Sequence, residues 1–269
     1  MHRSKAEQLR RLLSGFDRVG IAFSGGVDSS LLLRVALDVL GPHRVLVLHA
    51  RSCLQKKQEQ EDVLNWAGHQ GYPAAAMRLR VIEITPLAWK EFTVNPENRC
   101  YLCKKRLYNL FLDILEKEEI TVLLDGTNAD DLRQGEVGRP GLRALAELGI
   151  RTPLADCGLD KEKIRTLSRN LGLDTADRPS ASCLATRIPC GRTITAERLR
   201  KIEELEKELE ENGFTGCRVR LDGNTEQSVI VQLQQTDLQR MTYNFMQTRI
   251  VNRLKKKGVQ KIYLDAEGR

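Results

Sequence analysis

Aromatic side chains are scarce, only 5% of the 269 residues, and no apolar run approaches the roughly 18 residues that a membrane-spanning helix needs. Membrane insertion is therefore not expected. The opening Met1-His-Arg-Ser-Lys-Ala is charged and has no apolar centre of a secretory leader, so a cytoplasmic location is expected. Histidines number four, none at ligand-like spacing, which argues against a structural zinc finger. A Gly-Lys-Ser/Thr phosphate loop and a G-x-G-x-x-G fingerprint are both missing, which removes the Walker and dinucleotide-binding classes. No internal repeat or low-complexity tract is present, so solenoids and disordered scaffolds are excluded as well.

The composition that remains, 41% hydrophobic and 29% charged, is that of a globular chain long enough for a large lobe and a smaller one. A formal net charge of +7 suits anionic ligands such as nucleotides or RNA, but it bears on encounter rather than on chemistry. Seven cysteines in a chain of this character point to reduced thiols, metal ligands or catalytic groups rather than to a disulfide framework.

Short runs rich in Val, Ile and Leu at residues 19–23, 44–48, 77–84 and 121–125 read as buried strands of a parallel sheet. Between them, Leu31, Leu32, Val35, Ala36 and Val39 recur at helical spacing, as do Leu107, Leu110, Phe111, Ile114 and Leu115. The alternation predicts an α/β fold whose ligands sit at the carboxyl ends of the strands. Residues 130–141 read as a mobile loop, 161–171 as a helix, and 178–191 as another loop. A charged helix over 195–212 marks the lobe boundary, giving domains 1–194 and 195–269. The second, a small α/β domain, is expected to hold strands at 217–221, 228–234 and 260–264 with one helix over 237–257.

Ser24-Gly-Gly-Val-Asp-Ser-Ser30 falls between the first strand and the first helix of this pattern. Glycines let the backbone turn tightly against a ligand, and the N–H groups and positive end of the following helix attract an anion. Asp125-Gly-Thr-Asn-Ala-Asp-Asp131 follows another strand and brings carboxylates suited to Mg²⁺ and polar groups suited to phosphate oxygens to the same edge. Cys100 and Cys103 open an amphipathic helix three residues apart, where two sulfurs can face one centre. Two thiolates do not complete a site. Cys183, in a loop flanked by Arg178 and Arg187, is the best further candidate, since positive neighbours favour a thiolate. Cys190 is an accessory candidate, while Cys53, Cys157 and Cys217 read as structural. Arg218 and Arg220, two apart on an expected strand, can fork onto one phosphate.

The heptad at 24–30 resembles the PP-loop of the ATP pyrophosphatase class, which splits ATP between the α- and β-phosphates and attaches AMP to a substrate oxygen. Over nearly its whole length the chain resembles the LarE-type ATP-dependent sulfur transferases of nickel-pincer nucleotide biosynthesis. The likeness is carried by that heptad, Arg99-Cys-Tyr-Leu-Cys-Lys104, 125–131, Arg139-Pro-Gly141, Arg151-Thr-Pro-Leu154, Cys183-Leu-Ala-Thr-Arg-Ile-Pro189 and Arg218-Val-Arg220. The resemblance implies a PP-loop domain of the adenine nucleotide alpha hydrolase, Rossmann-like type. It also implies adenylation of a carboxylate of pyridinium-3,5-biscarboxylic acid mononucleotide, followed by replacement of oxygen by sulfur. ATP would be held by Ala22, Ser24, Gly25, Gly26, Asp28, Ser29, Ser30, Gly126, Thr127 and Asp131, with Mg²⁺. Cys183, Asp28 and Arg187 would be catalytic, and Arg218 and Arg220 would hold the mononucleotide's phosphate. Cys100, Cys103 and Cys183 match the members that carry a [4Fe-4S] cluster as sulfide donor, others sacrificing the cysteine that matches Cys183. A sulfide source and a homo-oligomeric state are implied; a nucleic-acid partner is not.

The chain departs from the family pattern at Glu226-Gln-Ser-Val229 and at Leu264-Asp265-Ala-Glu267, which bears on the substrate pocket. Three other functions stay open, one of them a non-enzymatic nucleotide-binding regulatory module that keeps the fold but not the turnover. A PP-loop tRNA thiolase also combines this loop with three cysteines and would use the basic charge, but usually has Lys where this loop has Val27. An amide-forming ligase of the same class would not need the three cysteines.

Overall fold

The computed structural model describes residues 4–72, 77–223 and 225–269, the side chains of 134–138 excepted. In chain order its first elements are α1 (Lys5–Ser14), β1 (Val19–Ala22), α2 (Val27–Leu40), β2 (Val45–Arg51), α3 (Lys57–His69), β3 (Arg78–Glu83), α4 (Lys90–Thr93), α5 (Arg99–Lys117) and β4 (Leu123–Asp125). Then follow α6 (Ala129–Gly138), α7 (Gly141–Glu147), α8 (Pro153–Asp156), α9 (Lys161–Asn170), α10 (Ala196–Glu210), β5 (Arg218–Leu221), β6 (Ser228–Gln232), α11 (Leu238–Met241), α12 (Asn244–Lys256) and β7 (Lys261–Leu264). Two compact units form: one comprises Met1–Ser52, Lys57–Ile84 and Asn98–Arg178, the other Cys53–Lys56, Thr85–Glu97 and Pro179–Arg269. The second unit includes residues 179–194, which the sequence-based division at 194/195 assigns to the first lobe.

The first unit is built on a parallel sheet in the order β3-β2-β1-β4. Its strands are apolar on both faces because helices cover both, as parallel sheets require. Val19, Ile21, Val45, Val47 and Leu124 face a core shared with α1, α2, α3 and α9. Ala22, Leu46, Leu48 and Leu123 face the opposite core, with Tyr108, Phe111 and Leu115 of α5. β1 and β4 pair so that Ala22 lies beside Asp125, which sets the loops that follow them side by side.

Two expectations fail here. Residues 130–141, expected to be a loop, lie mostly in α6 and the start of α7. The Asn128 side chain accepts from the backbone N–H groups of Asp130 and Asp131, at 2.9 and 3.0 Å, so it caps α6, and those two acids suit a helix N-terminus. Leu110, expected on the apolar face of α5, is exposed.

In the second unit β5 pairs antiparallel with β6, and β6 pairs parallel with β7. Leu199, Ile202, Leu205 and Leu209 form the buried face of α10, whose N-terminus is capped by the Thr195 side chain. The single helix expected over 237–257 is interrupted: α11 ends at Met241, Tyr243 is extended, and α12 starts at Asn244. Among the described residues no helix is long and apolar enough to cross a membrane.

Candidate functional site

The loop 24–30 leaves β1 and enters α2 with its serines turned inward on its own backbone. The hydroxyls of Ser24 and Ser29 lie 3.1 Å apart, Ser29 donates to the Gly26 carbonyl at 3.1 Å, and the Gly26 N–H donates to Ser24 Oγ at 3.4 Å. Gly25 takes φ +77°, a conformation that L side chains rarely adopt, and a Cβ there would meet Val63 Cγ2 at 2.6 Å. Among the described residues no side chain caps α2. Its first N–H groups and its positive end are thus presented by a loop whose only acid is Asp28, the arrangement that receives a phosphate. Ser30 is placed differently from its neighbours: it is fully buried, and its hydroxyl accepts from the Trp66 indole at 3.1 Å.

The loop after β4 lies against this turn. A Cβ on Gly126 would come within 2.9 Å of the Ser29 backbone nitrogen, so only glycine allows the two loops to touch. Asp125 is buried and accepts from the Thr127 N–H at 2.7 Å and from the Thr127 and Tyr108 hydroxyls. Burial alone would raise its pKa, but the Lys104 ammonium at 3.7 Å and these hydrogen bonds outweigh burial and hold it below the ordinary value. The Tyr108 phenol is pushed well above its usual range by burial, then by Asp125, then by Cys103. Tyr108 therefore stands within electrostatic reach of both the carboxylate beside the phosphate loop and a thiol of the Cys-x-x-Cys pair.

Asp28 accepts from Lys161 Nζ at 2.6 Å and from Asn128 Nδ2 at 3.4 Å. Asp131 is bonded to the Asn128 N–H at 3.2 Å and pairs with Arg139 at 2.8 Å. Ala22, Ser24, Gly25, Gly26, Asp28, Ser29, Gly126 and Asn128 thus gather where β1 and β4 end, whereas the Thr127 hydroxyl is spent on Asp125. Sequence reasoning missed Tyr108 and Lys161, and read Asn128 only as part of the 125–131 segment. Asn128 carried a signal, since an Asn before two acids is a helix-cap pattern; Lys161 carried none, standing 133 residues from its partner.

Cys100 is exposed and Cys103 half-buried at the start of α5, and neither is in a disulfide. Cys157 and Cys217 are buried, as structural cysteines would be; Cys53, read in the same way, is exposed. Among the described residues no group of three or more His, Cys, Asp or Glu side chains is gathered as for a metal ion.

In the second unit Cys183 is half-buried, its loop tied down by the Leu184 N–H donating to the Leu54 carbonyl at 2.8 Å. Arg187 is 3% exposed and points into the protein. Its Nε donates to Glu206 at 2.8 Å, and its Nη1 to the Ser182 and Cys183 carbonyls at 3.1 and 3.3 Å. Glu206, also bonded to Lys56 at 2.6 Å, is held below its ordinary pKa because Arg187 and then Lys56 overcome the effect of burial. Arg187 is therefore placed to shape the Cys183 turn. Arg218 and Arg220 leave the same face of β5. Arg220 is engaged by Gln232 at 2.7 Å and by the Thr186 carbonyl at 2.5 Å. Arg218 Nε is buried without a hydrogen-bond partner among the described residues. Burial, then the guanidinium groups of Arg269, Arg187 and Arg220, bring the Arg218 pKa down to about 10. Cys190 Sγ donates to the Asn95 carbonyl at 3.3 Å.

No family model matches the chain. It is 33% identical over 270 residues to an uncharacterized protein of Synechocystis sp., covering all of this chain and 96% of that one. It is 31% identical over 217 residues to the pyridinium-3,5-bisthiocarboxylic acid mononucleotide synthase of Lactiplantibacillus plantarum, covering 81% and 76% of the two chains. A glutamine-hydrolyzing GMP synthase chain of Methanopyrus kandleri shares 29% identity over 175 residues, 62% of this chain and 53% of that one.

Proposed function

This chain belongs to the LarE-type family of PP-loop sulfur transferases, that of the pyridinium-3,5-bisthiocarboxylic acid mononucleotide synthases, and from that premise we propose that it uses ATP to activate a carboxylate of pyridinium-3,5-biscarboxylic acid mononucleotide for exchange of oxygen by sulfur. The carboxylate attacks the α-phosphorus of ATP, pyrophosphate leaves, and sulfur then displaces AMP. Backbone N–H groups at the head of α2 hold the departing pyrophosphate. Ala22 and the turn at Ser24, Gly25, Gly26 and Ser29 shape that cradle, and Gly126 brings the β4 loop against it. Magnesium is ordinarily bound by one or two carboxylates together with substrate phosphates and water, and Asp28 is the carboxylate best placed to be one of them. Asp131 supports the same edge through Asn128.

The observation that carries the reading is Tyr108, whose hydroxyl donates to Asp125 and whose ionisation is opposed by Cys103. It relates Cys103 and Asp125, the carboxylate next to the loop 24–30, to one side chain of the same unit, which supports a sulfur donor near that loop. Cys100 and Cys103, one helical turn apart and free of disulfides, have the donor chemistry of an iron–sulfur ligand pair, with Cys183 as the third thiolate. A [4Fe-4S] cluster would be held by Cys100, Cys103 and Cys183 and would supply the sulfide; sacrifice of Cys183 itself is the alternative sulfur source. Arg187 holds the Cys183 carbonyl, and Arg218 with Arg220 takes the substrate phosphate, Arg218 having a buried donor to give. The setting is that of a cytoplasmic homo-oligomer drawing on a separate sulfide source.

AMP and pyrophosphate are expected when ATP, magnesium and the biscarboxylated pyridine nucleotide are supplied together. Absence of both products with protein that still binds ATP would refute the substrate assignment. Anaerobically purified protein is expected to contain iron and acid-labile sulfide, and Cys103→Ala to lose most of the iron; full iron in that variant would refute the ligand.

A further inference from the structure

The formal net charge of +7 resides in one segment. Residues 238–264 hold seven Lys and Arg and no Asp or Glu, so the rest of the chain, with as many cations as its 36 acids, is neutral. Three of the seven are engaged within the second unit: Arg240 pairs with Asp237 at 3.5 Å, Arg253 with Glu208 at 2.8 Å, and Lys257 lies 3.9 Å from both Glu204 and Glu208. Arg249, Lys255, Lys256 and Lys261 are exposed, and among the described residues none of them pairs with an acid. Like charges gathered in this way repel one another and attract an anionic partner.

Exposed apolar side chains gather in the same segment. Phe245 is 74% exposed and Tyr263 50%, and their near neighbours in the chain, Tyr243 and Leu264, are exposed as well. On α12, Phe245, Arg249, Asn252 and Lys256 recur at helical spacing and point away from Ile250 and Leu254, the buried side. β7 is the outer strand of the sheet β5-β6-β7: it bonds β6 along one edge, and among the described residues no strand lies along the other. Alternate residues of that edge therefore hold backbone N–H and C=O groups outward. β6 and β7 run parallel, so α12, which lies between them in the chain, runs back against both. Lys255 and Lys256 lie toward the Lys261 end of β7 and Phe245 toward the Leu264 end.

The open edge selects the class of partner. A polynucleotide would neutralise the cations and stack on the aromatic rings, but it has no backbone that pairs with a strand. A second copy of this chain offers such a strand, yet it would set one +7 segment against another. An extended acidic polypeptide meets both demands. We propose that β7 and α12 form a docking surface for an extended, acidic segment of another protein, which adds to the sheet beside β7. Its backbone takes the outward N–H and C=O groups of β7, its apolar side chains cover Tyr263 and Leu264, and a carboxylate stands beside Lys261. The flank that leaves at the Lys261 end meets Lys255 and Lys256. Backbone pairing supplies the affinity, and the cations supply the choice of an acidic sequence over a neutral or basic one.

The test uses the full chain and a fluorescein-labelled synthetic peptide of alternating Glu and Val, followed by fluorescence anisotropy at physiological salt, where distant charges are screened. The wild type is expected to bind this peptide. The same peptide N-methylated at alternate amides keeps every carboxylate but loses its donors to β7, and is expected to bind at least ~10-fold more weakly; this arm needs no variant protein. Reversing Lys256→Glu together with Lys261→Glu is expected to weaken binding by about 10-fold, with the thermal midpoint measured in parallel to show that the variant is folded. Lys90→Glu with Lys117→Glu changes the net charge equally outside the segment and is expected to leave the affinity within ~2-fold. No binding by the wild type overturns the proposal. So does equal binding of the methylated peptide, because the sheet edge would then be idle, and so does an equal loss in the Lys90 and Lys117 control. An A-rich RNA oligonucleotide that binds more tightly than the peptide would assign the surface to nucleic acid. Self-association lost in the Lys256 and Lys261 variant would assign it to a second copy. Either result overturns the proposal.

Discussion

At Gly126 one methyl group decides whether two loops can touch. A Cβ there would lie 2.9 Å from the Ser29 nitrogen and 3.1 Å from its Cα, both backbone atoms that cannot swing aside. Gly126→Ala must push the β4 loop off the loop 24–30, the proposed phosphate cradle, and displacements of this size at a reacting centre cost up to about 100-fold. A drop of at least ~10-fold in ATP-dependent pyrophosphate release, with an unchanged far-ultraviolet circular dichroism spectrum, is the expected result. Glu206 poses the opposite case, a side chain whose removal leaves charges behind. It is fully buried and neutralises Arg187 and Lys56 together. Truncation to alanine strands those cations in the interior and is expected to cost about 3–5 kcal/mol, read as a shift in urea denaturation. Because Arg187 also donates to the Cys183 carbonyl, the same variant should disturb the Cys183 turn.

Elements differ in how openly the sequence announces them. The strand–loop–helix from Val19 to Leu40 is legible because both of its signals are local: a short branched apolar run, then glycines and serines, then a 3.6-residue period. Cys100 and Cys103 are legible for the same reason, being one turn apart on one helix. By contrast α6 is made by contacts, not by apolar spacing. Its first turn is secured by Asn128 and by Asp130 receiving the Lys161 N–H, so a stretch rich in Gly, Asp and Arg passes for a loop. Lys161 was illegible because no local pattern connects residues 133 apart. The convergence of Arg187 on Glu206 was hidden likewise, and Arg187 reads from sequence as a group for the ligand when its donors face the protein. The cap on α6 gives a test at this scale. Asn128→Ala removes the acceptor from two N–H groups and the amide from Asp28, and is expected to cost about 1 kcal/mol. Hydrogen exchange should quicken first at the amides of Asp130 and Asp131. Unaltered protection there would mean that α6 is held by something other than its cap.

Across the whole molecule, acid should act on the first unit at a higher pH than on the second, because beside the carboxylate Asp125 the first unit buries a histidine, whereas the second buries the carboxylate Glu206. In the first unit His49 is 1% exposed; Nδ1 donates to the Phe23 carbonyl at 2.9 Å, while Nε2 is buried without a partner among the described residues. Burial lowers its pKa from 6.5, more than that hydrogen bond and the Glu83 charge raise it, and Arg51 lowers it further. The folded unit therefore keeps His49 neutral where the unfolded chain takes up a proton. Above pH 6.5 the two states bind protons alike; below it the unfolded state binds more, and stability falls until the lower, folded pKa is reached. In the second unit Glu206 is held below its ordinary value of 4.5, so the stability it contributes is present above that pH and is lost as pH falls through the folded value. The two tryptophans separate these events, Trp66 lying in the first unit and Trp89 in the second. Trp66 packs edge-on against Phe23 at 5.5 Å, next to the His49 contact. In a Trp89→Phe variant, the urea midpoint followed by Trp66 fluorescence is expected to fall between pH 7 and 5.5 by the equivalent of up to about 1 kcal/mol. Adding His49→Leu should flatten that decline, since leucine cannot take up the proton. A slope that persists in the double variant would assign the loss to other groups and remove His49 as its cause.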